Sequence, residues 1–174
     1  MLTRYSLRLL VLCASALVAT LAQAQAPAAA PPAVPEIMPF DIPYGTPITL
    51  ERARQVGDAA AAEARKRNWK MSIAIVGPEG DLMFLQKLDG TAHSSSKIAE
   101  TKARTSAIFR RPTKVFFDAV ESGHPYVMSL PGVIAADGGL PIIENGKVIG
   151  AIGTSGGTGA QDAVVSKAGA DLVK

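Results

Sequence analysis

Apolar positions along the chain fall into stretches of different period. Leu50, Ala53, Val56, Ala60 and Ala64 recur at three- and four-residue intervals, which predicts an amphipathic helix ending near Asn68. Thr49 is placed to cap it, and Glu51 sets a negative charge against the positive end of the helix dipole. Met71, Ile73 and Ile75 then alternate with Ser72, Ala74 and Val76, the period of a strand. Pro78-Glu79-Gly80-Asp81 turns the chain, and Leu82 to Lys87 returns. Helical spacing resumes from Ser95 to Arg110, supported by a Glu100–Arg104 pair in the favourable order, and Pro112 ends it. Thr113 is placed to cap a short third helix, Lys114 to Glu121, closed by Gly123. Pro141 to Glu144, Asn145-Gly146 and Lys147 to Thr154 make the clearest hairpin, because Asn-Gly accepts the positive φ values of a two-residue primed turn. Gly150 and Gly153 within its second strand predict a close approach by another backbone. A Gly-rich loop, Ser155 to Gly159, leads into a last helix from about Ala160 to Val173.

The order α-β-β-α-α-β-β-α, with room for a fifth short strand near Val133, predicts an α/β domain over residues 48–174. Two hairpins and flanking helices imply a central antiparallel sheet of four to five strands covered by helices, not a doubly wound parallel sheet.

Two segments precede that domain. Met1 to Ala24 has the parts of a signal peptide: Arg4 and Arg8, an apolar run from Leu9 to Leu21, and the small-residue site Ala22-Gln23-Ala24. The run falls short of the ~20 residues that span a bilayer, so the expectation is cleavage near Ala24 and a periplasmic or secreted protein without a transmembrane anchor. Cleavage there removes Cys13, the single cysteine, and with it thiolate chemistry. Residues 25–47 hold seven of the twelve prolines and read as an extended, polyproline-like tether. Alternating Ile37, Met38, Phe40, Ile42 and Tyr44 leave two readings of that stretch, a mobile spacer or a strip lying against the domain or a neighbouring subunit.

Charge narrows the partners. The formal net charge is +3, and loss of Arg4 and Arg8 with the leader brings it to +1, which gives no footprint for nucleic acid. An apolar content of 48% excludes disorder of the whole chain.

Candidate chemistry is sparse. The two histidines, His93 and His124, have no zinc-ligand spacing, and no Gly-x-Ser-x-Gly elbow sits between a strand and a helix. His93 lies in a loop before a helix start, where the neutral imidazole that a metal needs is favoured. His124, Tyr126 and Met128 are all residue types that ligate haem iron, and Arg110 and Arg111 suit carboxylates such as propionates. Thr154, Ser155, Gly156 and Gly157 open the last helix, where free N–H groups can hold a carboxylate or phosphate; a tight turn beside a packed sheet explains the same glycines.

Several motifs together resemble the GlcG/HbpS-like family of haem-binding or "haem-degrading" domains, also found at the C-terminus of a cobalamin adenosyltransferase. They are Leu88-Asp89-Gly90-Thr91, Ala99-x-x-Lys102-Ala103-x-Thr105, Gly138-Gly139-Leu140-Pro141-Ile142, and the run Gly146 to Gly157 followed by Gln161-Asp162. The resemblance covers roughly Leu50 to Ala170. It implies an α/β sandwich assembled as homo-oligomers, often octamers, with haem as the ligand and a role in haem or iron handling or redox sensing rather than catalysis. It assigns no axial ligand to a numbered residue, and Gly77 and Ser106 depart from the family's common Asp and Ala. Two other readings stand beside it: an enzyme or carrier for a small organic acid held at the Gly-rich loop, and an accessory to a sensor or oxidative pathway. Ala99, Ala103 and Ala107 share one helix face and are expected to let that helix sit against the Gly-rich strand, so packing alone accounts for part of the signature.

Overall fold

The computed structural model describes residues 34–173, so the leader reading and the first part of the Pro-rich stretch lie outside the described residues. Helix α1 (Leu50–Lys66) starts at Thr49, whose hydroxyl accepts the Arg52 N–H, and it turns Ala53, Val56, Ala60, Ala61 and Ala64 inward. Strands β1 (Ser72–Val76) and β2 (Leu82–Lys87) form the first hairpin, and α2 (Ser95–Phe109) and α3 (Lys114–Glu121) follow. A 3₁₀ turn over Pro125–Ser129 leads to β3 (Gly139–Glu144), β4 (Lys147–Ser155) and α4 (Gly159–Ala170).

The sheet order is β2-β1-β4-β3, antiparallel throughout, with four strands. The fifth strand for which the sequence left room near Val133 is absent among the described residues. That stretch is held by a side chain instead: the Thr105 hydroxyl donates to the Gly132 carbonyl and accepts the Ile134 N–H.

Both faces of the sheet are covered, which is why β1 is buried along its whole length rather than on alternate residues. Ile73 and Ile75 join α1 and α4 residues such as Val56, Ala60 and Val165 on one face. Ala74, Val76 and Ala151 meet Ala99, Ala103 and Ala107 of α2 on the other. A Cβ at Gly153 would overlap the Ala99 carbonyl oxygen and come within 2.5 Å of the Ala103 amide nitrogen. Glycine therefore sets the helix-to-sheet distance there, as the sequence implied. Asn145 and Gly146 take φ values of 49° and 72°, the primed hairpin turn.

Thr113 behaves differently from the expectation. It makes no cap bond to α3, and its hydroxyl accepts the Gly139 N–H instead, tying α3 to the start of β3. The strip from Phe40 lies against the domain, so the spacer reading does not hold there, while Ile37 and Met38 stand exposed. Pro43 and Gly45 exchange backbone bonds with Val148 at 2.9 and 2.8 Å, in the lane that β1 leaves empty beyond Val76.

Candidate functional site

The residues singled out in the sequence fall into separate places. At the corner between β2 and α2, Leu88 donates its N–H to the Met71 carbonyl, and the Thr91 hydroxyl bonds the Leu88 and Met71 carbonyls at 2.6 and 3.2 Å. Gly90, at φ 76°, lets the chain turn between them. This rigid loop holds His93 out in solvent, with Nδ1 3.4 Å from the Lys87 Nζ. An ammonium only donates, so Nδ1 accepts in this contact. An open cleft of about 520 Å³ is lined by Lys87 to His93. A second, of about 310 Å³, shares Lys87, Leu88 and Asp89 and extends to Arg65, Asn68, Trp69, Lys70 and Gln86.

His124 sits elsewhere in the sequence order, after α3. Its ring packs edge-on to Tyr126 at 6.1 Å, and Tyr126 and Met128 are 67% and 63% exposed while Val127 between them is buried. Tyr126 and Met128 thus stand out from the surface, and with exposed Phe117 and Leu130 they give this segment an apolar character.

Arg110 and Arg111 are engaged by the strip Phe40–Tyr44. Arg110 adopts φ 54°, donates to the Ile42 carbonyl at 2.9 Å and lies over the Tyr44 ring. Arg111 lies over Phe40 at 4.1 Å and near Phe116 at 5.7 Å, with its Nε bonded to the Phe109 carbonyl. Burial, and secondarily the neighbouring Arg110 charge, lower the Arg111 pKa from its usual range. The Tyr44 hydroxyl donates toward the Ala107 and Ile108 carbonyls, covering the end of α2.

The Gly-rich turn holds a carboxylate of its own chain. Asp162 Oδ1 accepts the Gly157 N–H at 3.0 Å, and Oδ2 lies 2.7 Å from Lys102 Nζ, with both side chains 3% exposed. Lys102 also donates to the Thr154 carbonyl, and the Thr154 hydroxyl donates to the Asp162 carbonyl and bonds Ser166. Ser155 is buried, and Thr158 with Gln161 forms a capping box on α4. A carboxylate of the chain itself thus lies at the helix start that the sequence offered either to an external anion or to a tight turn. Burial raises the Asp162 pKa from its ordinary value of 3.8, and the hydrogen bond and charge of Lys102 pull it back only in part.

Lys102 and Asp162 carry a role that sequence reasoning did not assign, although both stand in the quoted motifs. The available signal was spacing: Lys102 lies between Ala99 and Ala103 on the face of α2 that meets the sheet, and a cation there requires a buried partner.

Comparison with known proteins bears on all these residues at once. The sequence profile of the family described as haem degrading protein HbpS-like matches residues 48–171. This chain belongs to the HbpS-like family. GlcG of Escherichia coli (strain K12) is 39% identical over 108 residues, covering 62% of this chain and 81% of GlcG. A double mutant of HbpS from Streptomyces reticuli superposes with a TM-score of 0.70 at 29% identity, covering 85% of this chain and 99% of that one. A crystal structure of a PduOC:haem complex shares the fold, with a TM-score of 0.67 at 22% identity over 74% of this chain and 96% of that one. The HbpS-like match includes His93, His124, both arginines and the Lys102–Asp162 pair. It begins after Phe40 and Tyr44, so the aromatic cover on Arg110 and Arg111 lies outside the matched span.

Proposed function

We propose that this protein is an exported, self-associating haem- or tetrapyrrole-binding protein, acting in haem or iron handling or in redox sensing, with the porphyrin docked at the β2–α2 corner. Membership of a family described as haem degrading, and a structural relative crystallised with haem, support the ligand class. The docking site rests on one observation: His93 stands exposed on a pinned loop at an open cleft of about 520 Å³, beside the Lys87 ammonium.

The residues present fit the group. The exposed His93 imidazole would hold the iron, and its exposed 3.4 Å contact with Lys87 costs little to give up. Leu88 lends apolar surface to the cleft wall, and the Lys87 charge complements a propionate. Haem bound there would supply a redox-active iron. The protein's own part is to hold the ring, fix the imidazole and keep the carboxylates paired. Nothing in this reading calls for a covalent step on a protein side chain.

Titration of the full mature chain with haemin tests it. A Soret band is expected to develop to a stoichiometric endpoint, weakened about tenfold or more and shifted in His93→Ala, and unchanged in His124→Ala. Absence of any spectral change at stoichiometric haemin would overturn the ligand assignment. A band altered by His124→Ala and untouched by His93→Ala would move the ligand to the segment bearing Tyr126 and Met128.

A further inference from the structure

The cleft at the end of α1 does not need haem to be a binding site. We propose that it binds a carboxylate, through Arg65 and Lys70 together with the amide donors of Asn68 and Gln86. Arg65 and Lys70 line this space of about 310 Å³ and have no carboxylate partner among the described residues. The neighbouring Arg67 is excluded from the role, because it is tied to Glu63 and lies over Trp69.

The amides reinforce the same polarity. Asn68 stands at φ 56° just past the helix, and its oxygen accepts from Lys70 Nζ at 3.3 Å, which leaves its N–H donors to the cleft. Gln86 pairs with Ile73 across the hairpin, so its side chain points to the face covered by α1. Its Oε1 is sealed from solvent with no hydrogen-bond partner among the described residues, so the carboxamide presents only N–H donors to the space it lines. Of the carbonyls at the C-terminus of α1, those of Glu63, Ala64 and Arg65 already accept the N–H groups of Arg67, Asn68 and Trp69, which lessens their repulsion of an anion. Asp89 is the one acid on the wall, against three cations.

A carboxylate could arrive by two routes, as a free small organic acid or as a propionate of haem seated in the adjoining cleft across the shared Lys87-Leu88-Asp89 wall. Only the second route rests on the haem reading. Trp69, the single tryptophan of the chain, lines the cleft and reports on both. Succinate added to the full mature chain is expected to change Trp69 fluorescence saturably. The Arg65→Gln/Lys70→Gln variant, both changes lying outside the core, is expected to weaken that response about tenfold or more. Haemin dimethyl ester, which lacks free carboxylates, separates the routes: weaker binding than haemin in the parent protein, with the gap closed in the variant, assigns the site to the propionates. Equal binding of ester and haemin with a succinate response assigns it to free acids. No saturable response to succinate together with equal binding of ester and haemin would overturn the proposal, as would a succinate response unaffected in the variant.

Discussion

Lys102 and Asp162 meet at 2.7 Å with almost no exposure, and they join α2, β4 and α4 through one carboxylate and one ammonium. Breaking such a pair from one side leaves a charge buried without a partner. Lys102→Met is expected to destabilise the fold by about 3–5 kcal/mol in urea denaturation, and Lys102→Met/Asp162→Asn to regain part of that loss, because no charge is then stranded. The pair also sets a pH dependence. Asp162 holds its proton more tightly folded than unfolded, so its contribution is full below the ordinary value of 3.8 and is lost as pH rises through the elevated folded value. The parent protein should therefore lose stability relative to Asp162→Asn as pH rises from 3.8, when both are followed by denaturation across a pH series; a parent that gains stability relative to the variant would contradict the raised value.

At the scale of elements, the contact between α2 and β4 decides the architecture. Gly153→Ala places a methyl against the Ala99 and Ala103 backbone, which no rotamer change can relieve, and it should cost about 1–3 kcal/mol or more. Gly146→Ala, at a turn with nothing near the new methyl, should cost only about 1 kcal/mol through its positive φ. Thermal unfolding of the two variants compares them directly, and equal losses would show that the close approach is not what glycine serves at position 153. This contact was legible in the sequence because alanines at helical spacing and glycines in a strand each point to close packing. Helices α1 and α2 and both hairpins were equally legible, since their periods are strong and their turns carry Pro, Gly or Asn. Thr113 and the stretch near Val133 were not, because their hydrogen-bond partners, Gly139 and Thr105, are distant in sequence and reached only by the folded chain. The same holds for the site: His93 was visible as a loop histidine, whereas the Gln86 oxygen without a hydrogen-bond partner, and Arg65 and Lys70 without a carboxylate partner, among the described residues emerge only when α1 and β2 are brought together.

Over the whole molecule, the strip from Phe40 to Pro47 adds to the sheet at Val148 and covers Arg110 and Arg111 with Tyr44 and Phe40. The mature protein should keep this strip, so N-terminal sequencing of material from its own source is expected to start after Ala24; a start at Met1 would contradict export by cleavage. Light scattering of that material is expected to report a homo-oligomer, and a monomer at micromolar concentration would remove self-association from the account. Occupancy by haem is read, without a ligand chosen in advance, from the absorption spectrum of the protein purified from its own source grown with haem available. A Soret band that co-purifies with the chain and is lost in His93→Ala is expected. A spectrum holding only the ultraviolet bands of Trp69 and the tyrosines would contradict it.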